Sequence, residues 1–551
     1  MQAEWHVDKK RILYTVCFFL FCLIDQRIKT GSGLDGQIET FRALTGVGVA
    51  VLTLTGCRMS RVKAHKALYL VWSLLSVIGG AFFVARGQQV VWFGNARAAL
   101  AANVLLWGNI LLYTISGLFG KERYGGRQID RRFACAWLVM MGLMCVSRST
   151  YHWPAMYLVM FGCFYLMDYE RADLEKLFLG MLDGVILAFF ILQGWCFVFR
   201  PYDEVRYVGV YNNCNLNALF YLTVLAAVLA KLLLLYAADD GKAHRLAKLF
   251  YMAGVGALFG FLFLTVSRTG WMTMVVLTFV GLLFLQRLLR PSGKLGYWCK
   301  SVLLLALCFC LTFPAVFGAT RYLPPLFHHP VWFFGEWSED KVHSWDPWDS
   351  EKFVDLDELM AIANKRVAAV LADVLHTDAA QEPVGETDGT AVELRENQEP
   401  KAVSEIQQQL YDEALAAGYA FPPGVKAGAV QVRKAIYRYY IHLLNLTGHP
   451  ESEEGFQMTA THRIGHAHNI YLQWGVDFGV PAMLLLIVLV IWTIGRFAAD
   501  AWKSRSVQSA GYLLFFLVPC IFGMLEYAWG AGSVTITMLF VAWRRMIRNE
   551  D

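Results

Sequence analysis

"LNALFYLTVLAAVLAKLLLLY", residues 216 to 236, is long and apolar enough to cross a bilayer, and that reading sets the solvent for the rest of the chain. About 20 predominantly apolar residues in helical form span the hydrocarbon core of a membrane, where a helix satisfies every backbone N–H and C=O within its own segment. The pattern recurs at Leu249 to Val266, Val302 to Gly318 and Ile470 to Ile494. Hydrophobic residues fill 57% of the 551 positions, charged residues only 17%, and the mean hydropathy is +0.42, outside the usual range of soluble domains. The expected fold class is an all-α polytopic membrane protein.

Fourteen spans are expected, near 11–25, 40–57, 67–85, 97–119, 133–147, 154–167, 176–199, 215–236, 249–266, 270–287, 299–318, 469–495, 508–528 and 531–544. The fifth and sixth are short, with a re-entrant hairpin as the alternative, which would leave twelve. The first run follows Lys9, Lys10 and Arg11 without a small-residue cleavage site, so it is expected to be a retained span. Basic residues cluster in alternate short loops: Arg58 to Lys66, Lys121 to Arg132, Lys242 to Lys248, Arg287 to Lys300, Arg496 to Arg505 and Arg544 to Arg548. By the positive-inside bias these loops and both termini are expected to be cytoplasmic.

The expected organisation is an N-terminal bundle over 1–318, a large extracytoplasmic loop over 319–467 and C-terminal membrane helices over 468–551. The loop carries 23 acidic and 12 basic residues although the whole chain is formally +5, so the basic excess belongs to topology and argues against a nucleic-acid partner. Residues 377–400 are polar and acidic and are expected to be poorly ordered. "SEIQQQLYDEALAAG" and "VRKAIYRYYIHLLNL" have helical periodicity, with Gly418 and Gly448 as stops. Tyr437, Tyr440, Ile441 and Leu444 form one stripe suited to packing on the spans. The stretch "HHPVWFFGEWSEDKVHSWDPW" fits either an interfacial aromatic belt or a sugar-stacking surface. None of the twelve cysteines lies in the loop, which excludes a disulfide scaffold there, and no Walker A pattern supplies nucleotide energy.

The polar exceptions gather at the outer helix ends. Arg268, in "SRTGW", stands between two apolar runs. An Arg within a span costs roughly 2.5 to 3.5 kcal/mol on insertion scales, so either a partner or snorkelling to lipid phosphate is expected. Arg206 stands in "VRYVGVYNNCNLNALF", where Asn212, Asn213, Asn215 and Asn217 could cap the next helix or line a polar vestibule. His466, His468 and Asn469 open the run "HAHNIYLQWGVDFG".

Guanidinium forks match phosphate oxygens and stay charged in low dielectric. Each such pair is worth about 4 kcal/mol at 4 Å and an effective dielectric of 20, before desolvation. A diphosphate is the natural guest, and on the outer face of a membrane the lipid-soluble form is a polyprenyl diphosphate bearing a glycan. Its glycosyl bond has a good leaving group, so the site needs charge stabilisation and a base for the incoming hydroxyl. His468 suits the base, with Asn469 orienting the ring or bonding a sugar. A zinc site of His466 and His468 with His462 or His449 is the metal alternative.

"HAHNIYLQWGVDFGVPAMLLL", "SRTGW" and "RYVGVYNNCNLNA" together resemble the signature of the O-antigen ligase and polymerase superfamily. The family's His-Asn pair followed by glycine is matched by His468, Asn469 and Gly479, while Ala482 replaces the final glycine. "VRKAIYRYY" and "LTGHPESEEGF" resemble its arginine-containing helix and glycine turn, without an intact G-x-G. The resemblance implies a GT-C-type bundle of 12–14 spans in the bacterial cytoplasmic membrane. It also implies metal-independent, inverting transfer, with no cofactor, of an undecaprenyl-diphosphate-linked glycan to a glycan or lipid acceptor. In that scheme His468, with His466 and Asn469, activates the acceptor, and Arg206, Arg268, Arg433, Asn213 and Asn215 hold the diphosphate. A different class, a glycan or ion-coupled transporter, would use intramembrane Asn103, Asn109 and Asp183. A scaffold role for the acidic loop is a third.

Overall fold

A computed structural model describes residues 8–24, 35–85, 97–119, 129–150, 153–198, 202–203, 206–211, 213–238, 244–327, 356–375, 429–450, 455–459, 462–527 and 534–548. Among them are eighteen helices: α1 Lys9–Ile24, α2 Asp35–Thr55, α3 Met59–Ala64, α4 Lys66–Ala85, α5 Arg97–Phe119, α6 Arg131–Val146, α7 Trp153–Leu166, α8 Arg171–Val198, α9 Cys214–Ala237, α10 Arg245–Leu264, α11 Arg268–Leu289, α12 Lys294–Leu326, α13 Leu356–Leu375, α14 Ala429–His442, α15 Ile470–Phe478, α16 Val480–Lys503, α17 Val507–Phe522 and α18 Val534–Arg548. Two short antiparallel hairpins, β1 Tyr202–Asp203 with β2 Arg206–Tyr207 and β3 Phe456–Thr459 with β4 His462–Ile464, depart from a purely helical fold. Six described helices, α8 to α12 and α16, are long and apolar enough to cross a membrane, and shorter apolar helices accompany them. The chain is a helical multi-pass membrane protein.

Each expected span falls on a helix, with three corrections. The span expected over 469–495 is two helices, α15 and α16, broken at Gly479, whose φ is +93°. The span expected to 528 ends at Phe522, and the bundle boundary drawn at 318 is passed by α12, which runs to Leu326. The tryptophan-rich stretch, residues 377–400 and "SEIQQQLYDEALAAG" lie outside the described residues, as do Lys121 and Asn212.

The bundle is built around α9, whose Ala226, Ala227 and Ala230 are fully buried, with α8, α10, α11 and α17 packed on it. Glycine lets α1 approach α8 closely. A Cβ at Gly180 would lie 2.5 Å from Tyr14 Cβ, and one at Gly184 would lie 2.5 Å from Thr15 O, a small-xxx-small contact of the kind that joins membrane helices. α12 is mostly exposed, as a helix facing lipid would be.

Ion pairs mark one end of the bundle. Arg548 bonds Asp168, Arg496 lies 3.4 Å from Asp130, and buried Arg544 donates to Met167 O while stacking over Tyr169. α11 connects this end to the opposite one. Its last turn places Arg287 on Trp502 O at 3.0 Å, while its first residue, Arg268, lies about 29 Å away along the axis at 1.5 Å rise per residue. The short helices α6 and α7 are also tied to other segments at their ends. Asp130 N bonds Ile547 O at the basic end, Arg148 N bonds Thr447 O at the other, and α7 returns to Arg544.

Candidate functional site

At the end opposite the basic pairs, three chain segments converge on Glu526. Its Oε1 accepts from Arg433 Nη2 at 2.9 Å and from Asn215 Nδ2 at 3.0 Å, and its Oε2 lies 3.2 Å from His468 Nδ1. Asn215 continues the chain of bonds. Its Oδ1 accepts from Ser267 Oγ at 2.8 Å and Arg206 Nη2 at 3.2 Å. Residues separated by up to 320 positions are thereby joined in one polar network, and Glu526 itself is buried.

Local structure explains each placement. Arg206 sits on β2 beside Tyr207, which is fully buried. Gln193 Nε2 donates to the Tyr207 hydroxyl and Tyr221 donates to Gln193 Oε1, while Asn217 Nδ2 reaches Tyr207 O at 3.3 Å. Gly209 completes the turn at φ +61°, and a Cβ there would meet Asn217 Oδ1 at 2.4 Å. Arg268 is the first residue of α11 because Ser267 caps that helix, its Oγ accepting from Gly270 N at 3.1 Å. The preceding Val266 has φ +49°, rare for a β-branched residue, so the tight turn into "SRTG" holds backbone strain.

His468 shares that strain, also at φ +49°, immediately before Asn469 caps α15 by accepting from Leu472 N at 3.0 Å. Asn469 Nδ2 donates to Met524 O at 2.9 Å, and Ile470 N donates to Gly523 O at 2.7 Å. The start of α15 is thus bolted to the turn after α17 that carries Glu526. Tyr437 donates to His468 O at 3.4 Å from α14.

The break at Gly479 is a second anchor. Val480 N bonds Asn445 O and His449 N bonds Val476 O, and a Cβ at Gly479 would lie 2.3 Å from Leu446 O. Gly448, at φ +77°, fits against Asp477 O in the same way. Pro481 then starts α16, and Ala482 is fully buried.

The expected site residues therefore gather, with distinct roles. Asn215 is a bridge, but Asn213 is exposed and spends its oxygen on Asn215 N at 2.7 Å, as a helix cap. The His466 ring packs tilted against His468 at 4.3 Å and against Tyr527 at 5.4 Å between centroids. Burial, reinforced by His468 and opposed by Glu526, lowers its pKa to about 4, so at neutral pH it is an uncharged, weak base. His449 is held at 2.6 Å from Leu443 O. Among the described residues no group of three His, Cys, Asp or Glu could hold a metal ion.

Two residues were missed. Glu526 lay inside an expected apolar span, where a carboxylate is itself a signal. Arg366, on α13, donates to Val266 O at 3.2 Å. Burial, then Arg206 and Arg268, lower its pKa to about 10, which leaves it cationic at neutral pH. Below Arg268, an apolar cavity of about 450 Å³ lies between α10, α11 and α12, lined by Phe259, Phe263, Trp271, Met274, Leu305 and Phe309 among others. Trp271 is one helical turn from Arg268.

Comparison with known proteins finds no matching family model and no matching curated sequence.

Proposed function

We propose that the protein is a membrane glycosyltransferase of the O-antigen ligase and polymerase type. In this reading it has a GT-C-type bundle of 12–14 spans and works at the outer face of a bacterial cytoplasmic membrane. It takes a glycan from an undecaprenyl-diphosphate carrier and passes it to a hydroxyl of a glycan or lipid acceptor, with inversion and without a metal. The observation that carries the reading is the His468–Glu526 pair beside Arg206 and Arg268 at one end of the bundle.

The chemistry follows from that arrangement. His468 donates its Nδ1–H to Glu526 and keeps Nε2 as the proton acceptor, so the carboxylate fixes the tautomer and stabilises the imidazolium once it forms. The acceptor oxygen gives its proton to Nε2 and bonds to the anomeric carbon, while the bond to the diphosphate oxygen breaks on the opposite side. The departing diphosphate gains negative charge, which Arg206 and Arg268 neutralise. The apolar cavity one turn below Arg268 suits the prenyl chain, keeping the scissile bond at headgroup depth.

The test is the chain length and anchor of surface glycans in wild-type, deletion and His468→Ala cells, read by mass spectrometry of lipid-linked and surface fractions. Single repeats held on the carrier identify a polymerase, and full-length chains held on the carrier identify a ligase. Unchanged fractions in both mutant strains would remove the glycosyltransferase reading.

A further inference from the structure

Arg366 enters the site from a part of the chain that the membrane helices do not include. α13 lays one stripe on the bundle: Leu359 and Ala363 are buried and Ile362 packs on the central core, while Met360 and Val367 are exposed. Positions 359, 362, 363 and 366 recur at helical spacing, so the same face that docks the helix delivers Arg366 to the site.

The turn it reaches is the one that sets Arg268. Arg206 Nε donates to Thr265 O at 3.3 Å, and Arg366 Nη1 donates to Val266 O, the next carbonyl, at 3.2 Å. Two guanidinium groups from distant segments are thus held on adjacent carbonyls, two residues before a third. Arg366 spends one of its five N–H donors on Val266 O, and Arg206 spends two, on Thr265 O and Asn215 Oδ1, which leaves most of each fork for another acceptor. Gathering like charges in a half-buried site is costly unless an anion joins them, and burial together with this crowding already weakens the Arg366 proton affinity.

We propose that Arg366 is a third guanidinium for the diphosphate of the donor, which makes the outer-loop helix α13 part of the donor site. The inference rests on the glycosyltransferase reading above. A diphosphate carries more oxygens than two forks can satisfy bidentately, and the third arrives from the side open to the outer loop.

The experiment uses the full-length protein in nanodiscs, with undecaprenyl diphosphate and inorganic pyrophosphate as separate probes. Arg366→Gln keeps a donor for Val266 O but loses the charge; it is expected to weaken both probes about tenfold or more with an unchanged melting temperature. Arg366→Lys should recover part of the loss, and Lys365→Gln on the exposed face should bind as wild type. In turnover, Arg366→Gln should raise the donor KM and also lower kcat, because the departing diphosphate gains charge in the transition state.

Wild-type binding of both probes by Arg366→Gln, while Arg206→Gln is weakened, would overturn the role of Arg366 and leave the glycosyltransferase reading standing. Weakening for the lipid probe alone would also overturn it, because the contact would then be to prenyl chain or headgroup surroundings. No binding of either probe by wild type, with unchanged glycans in His468→Ala cells, would overturn both.

Discussion

His468 Nδ1 and Glu526 Oε2 lie 3.2 Å apart, although 58 residues and a complete helical excursion through α16 and α17 separate them. In the proposed mechanism the pair makes Glu526 as necessary as the base it orients. Glu526→Gln keeps the shape but loses the charge that stabilises the imidazolium, and its single amide oxygen cannot serve Arg433 and Asn215 on one side and His468 on the other. Turnover is expected to fall by roughly 100- to 10,000-fold, the range for a disabled general base, with the protein still inserted. A kcat equal to that of wild type would remove Glu526 from the proton transfer.

His466 gives the site a pH dependence of stability. Its folded pKa of about 4 lies below the ordinary histidine value of 6.5, chiefly because it is buried. Between those values the unfolded chain binds a proton that the folded chain does not, so stability is full above about 6.5 and declines as the pH falls toward 4. His466→Gln removes that titration. Melting curves at pH 7 and pH 4.5 should show a larger drop for wild type than for the variant, and equal drops would contradict the burial of a neutral ring.

Gly479 separates α15 from α16 with a φ that L side chains rarely adopt, and Leu446 O occupies the place of a Cβ. Gly479→Ala should therefore cost about 2 to 4 kcal/mol, combining backbone strain with a clash against another segment's carbonyl. Thermal denaturation in detergent measures it. Because the clash pushes on the 445–449 turn and not on Glu526, the surviving folded fraction should retain its kcat.

The helices were legible because apolar length and the absence of water dictate them, and each expected span coincides with one or two helices. What hydropathy cannot resolve is a break inside an apolar run: Gly479 and the turn at 523–526 carry no polar interruption strong enough to lower a window average. Glu526 disappeared into that average although its charge was the clue. Arg206 and Arg268 were legible as costly residues at helix ends, His468 as a titratable residue at the start of an apolar run, and Arg433 only through the resemblance. Arg366 was not, since it stands on an amphipathic helix among other loop charges, and only the docked face of α13 distinguishes it from Lys365. Asn213 and Asn215 looked equivalent, and backbone geometry alone made one a cap and the other a bridge.

Asp183 separates the two functional classes. A transporter reading gives an intramembrane carboxylate an ion to carry, yet here its oxygens lie 2.5 Å from Lys231 Nζ and 2.5 Å from Arg11 Nη2. Lys231 is 11% exposed, so removing its counter-ion strands an ammonium inside the bundle. Breaking a buried pair from one side costs roughly 3 to 5 kcal/mol, and with Asp183 about a quarter exposed the lower end, about 3 kcal/mol, is expected for Asp183→Asn. Lys231→Met in the same chain removes the stranded charge and should restore most of the melting temperature, together with a wild-type distribution of glycan chain lengths. An ion-coupled carrier would behave otherwise: the double variant would be stable and inactive, because the titrating carboxylate itself would be gone.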